Sequence, residues 1–336
     1  MKAVGYQKSL PIEHQESLQD ITLEDPTPSG RDLLVEVKAI SVNPVDAKVR
    51  MRAEPQPGEW QVLGWDATGV VRSVGPDAQL FKPGDRVWYA GAIDRAGTNS
   101  ELHLVDERLV GTMPSLLDFA RAAALPLTSI TAWEILFDRL QVPRERTGDD
   151  GLLIIGAAGG VGSILVQLAS QLTGLQVIGT ASRAETRTWV RELGAHEVID
   201  HSRPLVDELK KIGAAPPRYI VCLNKTDLHF EQIVEAIAPQ GKFALIDDPE
   251  PIDVRLLKRK SVSLHWELMF TRSLFATPDM IEQHRLLEEV SSLVDEGRLR
   301  TTFNEHFGTI CAAHLKRAHA LLESGRSCGK IVLEGF

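Results

Sequence analysis

Two hydrophobic periodicities divide this chain. Over the first third, apolar and polar residues alternate in short runs, LLVEVKAI at 33–40, VVRSV at 70–74 and SELHLV at 100–105, each the pattern of a half-buried strand. Turn sequences rich in Gly and Pro separate them, DPTPSGRD at 25–32 and FKPGDRV at 81–87, so this part predicts a small barrel of short strands. Within SVNPVDAKVR at 41–50, Pro44 holds Asn43 out of the helical region, and the residues from Arg52 to Trp60 read as loop. From about residue 126 the pattern changes. Continuous apolar runs at 152–155, 175–180, 219–223 and 242–246 alternate with helical spacing at 161–172, 186–193 and 230–238. Strands buried on both faces, with helices between them, predict a doubly wound parallel sheet. Beyond it, Met280, Ile281, Leu286, Leu287, Val290, Leu293 and Val294 mark a helix over about 278–296. A shorter helix follows at about 311–322, and GKIVLEGF closes the chain as a strand.

The stretch from Gly151 to Arg183 carries the most specific signal: strand, Gly-rich turn, helix, strand, in that order. Gly156, Gly159, Gly160 and Gly162 permit a tight turn and close backbone approach to a pyrophosphate. The N–H groups of Gly159, Gly160 and Val161, with the positive end of the following helix, suit phosphate oxygens. The second strand ends in Thr180-Ala181-Ser182-Arg183 with no acid before Glu185. An acid there would bind a ribose 2′-hydroxyl; Arg183 and Ser182 instead suit a 2′-phosphate, which favours NADP(H). A solvated loop charge is the alternative for Arg183. In such a sheet the ligand lies beyond the carboxyl ends of the strands, which places Arg183, His201, Asn224 and the 246–248 turn along one edge.

Composition narrows the setting. A length of 336 residues allows two domains with real cores, and 43% hydrophobic with 25% charged residues is ordinary for a globular protein. A net charge of −9 without a basic cluster argues against nucleic-acid or anionic-membrane partners. The start MKAVGYQKSL lacks the apolar stretch of a signal peptide, and no run approaches a membrane span, so a cytoplasmic protein is expected. Cys222, Cys311 and Cys328 are scattered and odd in number, which fits a reducing compartment.

Four stretches, SVNPVDAKVR, GVVRSVGPDAQLFKPGDRV, LPLTSITAWEIL and IIGAAGGVGSILVQLA, stand in order and resemble the medium-chain dehydrogenase/reductase family in its quinone oxidoreductase branch. The resemblance covers nearly the whole chain. It implies an α/β protein with a GroES-like β-barrel catalytic domain at 1–125, a Rossmann NADP-binding domain at 126–265 and a return to the catalytic domain at 266–336. A homodimer is implied as well.

Many members of the family hold a catalytic zinc with Cys, His and a carboxylate. The resemblance places the Cys at Asn43 or its neighbours, and a Gly-His-Glu at Gly64-Trp65-Asp66, so both thiolate and imidazole are missing. Asp46 and Asp66 alone do not make a zinc site, Cys311 and His314 have no third ligand nearby, and no Cys cluster stands near Arg95. No metal is therefore expected, and the implied reaction is hydride transfer from NADPH to a quinone or to the C=C of an α,β-unsaturated carbonyl.

By resemblance Asn43 and Asp46 lie near the acceptor, Asn43 offering its amide N–H to a developing oxyanion, with Trp65 as an apolar wall. On residue type alone, both polar residues could simply cap a helix. Thr131 and Thr128 match the family motif whose hydroxyl reaches the nicotinamide or its ribose, with helix capping the alternative for Thr128. His201 matches the position of an aromatic side chain against the adenosine phosphate, or is a surface histidine. Asn224, Ile246 and Asp248 would meet ribose or carboxamide. Phe270 and Phe275, with Met269 and Leu274, fall in the segment that would return over the acceptor. Two other readings compete: a zinc-type alcohol dehydrogenase, and a non-catalytic NADPH-binding regulatory protein.

Overall fold

The computed structural model describes residues 1–144 and 150–336. The chain divides into two units, Met1–Ile130 with Phe270–Phe336, and Thr131–Met269. The boundary falls inside the helix Pro126–Trp133.

The first unit is organised on the strand Asp32–Val42, eleven residues long and central to a seven-stranded sheet. Its inward positions, Leu33, Val35, Val37 and Ala39, are buried and the residues between them half-buried, as the alternation predicts. Asp66–Val74 pairs with it along most of its length, Leu102–Asp106 along its first half and Lys330–Glu334 along its last residues, all antiparallel. Register then decides which polar residues meet. Ile40 pairs with Ala67, which brings Asp66 to Ser41, and Val42 pairs with Ile331, which brings Lys330 to Asn43. The strand Lys330–Glu334 is buried over its first four residues, with Val332 in a small core beside Ala39, Ala120, Ala123 and Ala124.

The second unit is a six-stranded, wholly parallel sheet. Its spatial order is Glu197–Ile199, Gln176–Thr180, Gly151–Ile155, Tyr219–Cys222, Lys242–Leu245, Ser263–Trp266. Strand order reverses between Gly151–Ile155 and Tyr219–Cys222, and a ligand crevice is expected beyond the carboxyl ends there. Leu153, Ile155, Ile178, Ile220, Phe230, Ile233, Phe243 and Leu245 form the core of one face with no exposure above 3%.

The SVNPVDAKVR stretch holds a helix, Pro44–Arg52, with Pro44 at its first position, where a missing N–H costs nothing. Two local expectations are corrected. The helix expected from 230 begins at Thr226, where Asp247 accepts both the Thr226 N–H (2.9 Å) and its hydroxyl (2.5 Å), a cap supplied from a distant loop. The helix expected from 278 begins at Glu282, preceded by turns in which Met280 N bonds Thr277 O and Glu282 N bonds Asp279 O.

Candidate functional site

In the first unit a polar cluster is buried where the strands Asp32–Val42, Asp66–Val74 and Lys330–Glu334 meet. Asp66, wholly buried, accepts the Ser41 hydroxyl at 2.6 Å and the Asn43 amide at 3.2 Å on Oδ2. Its Oδ1 accepts the N–H of Leu127 at 3.2 Å, capping the first turn of Pro126–Trp133. Lys330, 3% exposed, lays its ammonium 3.2 Å from Asp66 Oδ2 and donates to Asn43 Oδ1 at 2.5 Å and to Val42 O at 3.2 Å. Three donors meet three acceptors, the full capacity of an ammonium. Burial pulls the Lys330 pKa down, opposed by the Asp66 charge.

Asp46 stands at the edge of this cluster. Its Oδ2 accepts the Asn43 N–H at 2.6 Å, the Gly64 N–H also faces the carboxyl group, and Oδ1 makes no well-formed hydrogen bond. Burial pushes its pKa up to about 7, more than the Asn43 N–H and Lys330 pull it down. Trp65 is fully buried, packs edge-to-face on Phe270 (6.1 Å between centroids, 74°), and leaves its indole N–H unpartnered. Unpaired buried groups of this kind cost about 1–3 kcal/mol each.

Asn43 and Asp46 thus come together, with Asp46 bonding the Asn43 main chain as a helix cap does. The Asn43 side chain is turned inward, and its amide donors go to Asp66 and to Ser41 O (3.4 Å). That differs from the expected donation to an acceptor oxygen, because Lys330 claims Oδ1 and so fixes which way the amide faces. Of the return segment, Met269 and Phe270 are buried, whereas Phe275 is 70% exposed and walls nothing within the described chain.

In the second unit the Gly-rich turn is built as its sequence requires. Gly156 has φ +86°, and a Cβ on Gly162 would lie 2.4 Å from Gly156 O, so the helix Gly160–Leu172 seats directly on the turn. Its N-cap, Gly159, has no side-chain cap, and a Cβ there would meet only Gly156 O, at 3.5 Å. Gly159, Gly160 and Val161 remain half-exposed with the helix's positive end behind them, a cradle that fits a dinucleotide pyrophosphate. His201 Nδ1 meets Thr180 Oγ1 at 3.1 Å, and Thr180 Oγ1 accepts the Gly156 N–H at 3.2 Å, so the histidine is tied to the turn. Its ring meets His229 edge-on at 6.0 Å, and burial lowers its pKa. Asn224 reaches over the turn, its Oδ1 3.2 Å from where a Gly156 Cβ would stand. Ser182 and Arg183 are exposed, and Arg183 Nε lies 3.3 Å from Glu185. Ile246 is half-buried and Asp248 exposed at the neighbouring strand end.

Thr128 and Thr131 are both buried, and the Thr128 hydroxyl donates to Leu125 O at 3.1 Å as a helix-end bond. Sequence reasoning missed Lys330, whose local sign was a charge heading an apolar strand, and placed Asp247 in the 246–248 turn without its capping role.

Family models agree with this architecture. The alcohol dehydrogenase GroES-like domain matches residues 29–116 and a zinc-binding dehydrogenase domain matches residues 193–333. A zinc-type alcohol dehydrogenase-like protein of Staphylococcus aureus is 40% identical over 336 residues, 99% of each chain. A solved Rhizobium etli structure, described as a zinc-dependent alcohol dehydrogenase, superposes with a TM-score of 0.97 at 59% identity, covering 100% of this chain and 98% of that one. Escherichia coli quinone oxidoreductase complexed with NADPH superposes at 0.83 with 25% identity, covering 99% and 100%.

Several of these names invoke zinc, and the polar cluster does not fit it. Catalytic zinc takes three protein ligands, mostly imidazole or thiolate with carboxylate. Here the candidate positions hold an amide (Asn43), an indole (Trp65) and one carboxylate (Asp66) already bonded to an ammonium. Among the described residues no three His, Cys, Asp or Glu converge as a metal-binding group.

Proposed function

This chain belongs to the medium-chain dehydrogenase/reductase family of oxidoreductases, and from that premise we propose that it reduces a quinone or an α,β-unsaturated carbonyl with NADP(H) and without a catalytic metal. The observation that carries the reading is the donor set at Asn43, Trp65 and Asp66, which serves an ammonium and not zinc. A metal-bound alkoxide is the natural route for alcohol oxidation; an electron-poor acceptor needs only orientation, hydride and a proton. The nicotinamide supplies the hydride when bound. Gly159, Gly160 and Val161 hold its pyrophosphate, with Asn224, Ile246 and Asp248 at the adjoining strand ends. Ser182 and Arg183 take the 2′-phosphate. The Arg183–Glu185 pair is solvent-exposed and worth only about 0–1 kcal/mol, small against the bonds a phosphate would make.

Asp46 is the proton source. With its pKa near 7, a large fraction of molecules carry the proton at neutral pH, and Oδ1, which makes no well-formed hydrogen bond, would offer it to an acceptor that reaches the buried carboxyl group. Thr131 orients the nicotinamide end, while Trp65 and Phe270 give the acceptor an apolar wall.

The test is NADPH oxidation with a panel of quinones and enals after chelator treatment. Turnover that survives chelation supports the proposal. Turnover lost to the chelator and restored by zinc identifies a metal-dependent alcohol dehydrogenase. Tight NADPH binding with no acceptor reduced identifies a regulatory protein.

A further inference from the structure

We propose that Lys330 is the resident cation of the buried polar cluster: its ammonium fills the place between Asp66 and Asn43 that a metal ion would need, and it fixes the direction in which the Asn43 amide faces. The geometry is specific. One nitrogen stands 2.5 Å from Asn43 Oδ1, 3.2 Å from Asp66 Oδ2 and 3.2 Å from Val42 O. It is the point from which a cation would bridge the amide oxygen and the carboxylate. Lys330 is 3% exposed and Asp66 wholly buried, so neither charge is solvated and each depends on the other. A divalent cation entering here would face an ammonium it could neither displace to water nor tolerate beside it.

The placement also explains the Asn43 side chain. An amide presents two chemically different ends, and the end facing a cation must be oxygen. With Oδ1 held by Lys330, the Nδ2 donors are directed to Asp66 and Ser41 O. Lys330 and Asn43 stand 287 residues apart in sequence, so this device belongs to the fold and not to a motif. Lys330 is accordingly a positioning residue. Its assignment does not depend on which acceptor the protein reduces.

The test uses the full-length protein with Lys330→Met and Lys330→Met/Asp66→Asn. Wild type grown with excess zinc is expected to carry no stoichiometric zinc by elemental analysis, and its Tm is expected not to move with added zinc or with chelator. Lys330→Met leaves Asp66 buried without a cation, and its Tm falls. Adding Asp66→Asn removes the stranded charge and restores most of that loss. The double variant still lacks the cation that holds Asn43 Oδ1, so the side-chain amide resonances of Asn43 move from their wild-type positions while NADPH Kd is unchanged. Should Lys330→Met fail to fold, the double variant carries the comparison alone. One zinc per wild-type chain, a Lys330→Met protein as stable as wild type, a double variant no more stable than Lys330→Met, or a double variant whose Asn43 amide resonances match wild type would each overturn the assignment. A wild type that reduces no acceptor defeats the proposed reaction instead, and zinc content and the Tm pattern then decide Lys330 by themselves.

Discussion

Asp46 Oδ2 accepts the main-chain N–H of Asn43 at 2.6 Å, which commits one oxygen of a buried carboxyl group to the start of a helix and leaves the other without a well-formed hydrogen bond. The capping half keeps the group in place, and burial lifts its pKa to about 7. In the proposed reaction one side chain would serve both structure and proton supply.

The proton-donor role fixes the sign of a pH profile. Acceptor reduction is expected to fall as pH rises above about 7, as Asp46 loses its proton. Asp46→Asn keeps a cap acceptor but carries no transferable proton, so kcat drops about 10²–10⁴-fold and that limb of the profile disappears. Stability follows the same titration. A carboxyl raised above its ordinary 3.8 contributes stability that is fully present below 3.8 and is lost as pH rises through about 7. Urea unfolding at a series of pH values should show this loss in wild type and not in Asp46→Asn.

Two glycines of the turn should respond differently to alanine. At Gly162 the new methyl would lie 2.4 Å from Gly156 O and 2.6 Å from Ala157 Cα, contacts only backbone movement relieves. Gly162→Ala is expected to cost about 1–3 kcal/mol of stability and to weaken NADPH binding with it. At Gly159 the nearest atom is 3.5 Å away and φ is −74°, so Gly159→Ala folds normally. Its methyl occupies the cradle, and calorimetry should find NADPH affinity about tenfold lower (~1.4 kcal/mol) at unchanged Tm.

Arg183 tests the cofactor preference directly. Arg183→Ala should reduce NADPH affinity about tenfold or more and leave NADH affinity unchanged, because only the 2′-phosphate distinguishes the two. Equal losses for both cofactors would defeat the 2′-phosphate assignment, and so would no loss for either.

His319 predicts acid lability in the helix Ala312–Glu323. It is fully buried, neither ring nitrogen has a hydrogen-bond partner, and burial with the Arg50 charge holds its pKa down at about 3. A depressed histidine contributes stability that is complete above its ordinary 6.5 and is lost as pH falls towards 3. At pH 5 the loss is about 2 kcal/mol. His319→Leu, similar in volume and uncharged, should stay within about 1.5 kcal/mol of wild type at neutral pH and exceed it near pH 5. His103, held down to about 4 by burial, retains part of the acid dependence in both proteins.

Sequence by itself determined what short-range sterics and periodicity control. The Gly turn between a buried strand and an amphipathic helix specifies its own conformation, so the parallel sheet and the path of the turn were legible at Gly156, Gly159 and Gly162. The alternation at 33–40 likewise marked the central strand of the first unit. Tertiary structure alone decided the contents of the polar cluster. Asp66 meets Ser41 and Lys330 meets Asn43 through strand register, which depends on pairing between segments far apart in the chain. The same is true of Asp247, which starts the helix at Thr226 from another loop. Asn43 shows the division within one residue. Its place before Pro44 put it at a helix start, but whether its amide faced outwards or into the cluster waited on a lysine that arrives with the last strand, because a buried charge is satisfied by whatever the fold brings within about 3 Å of it.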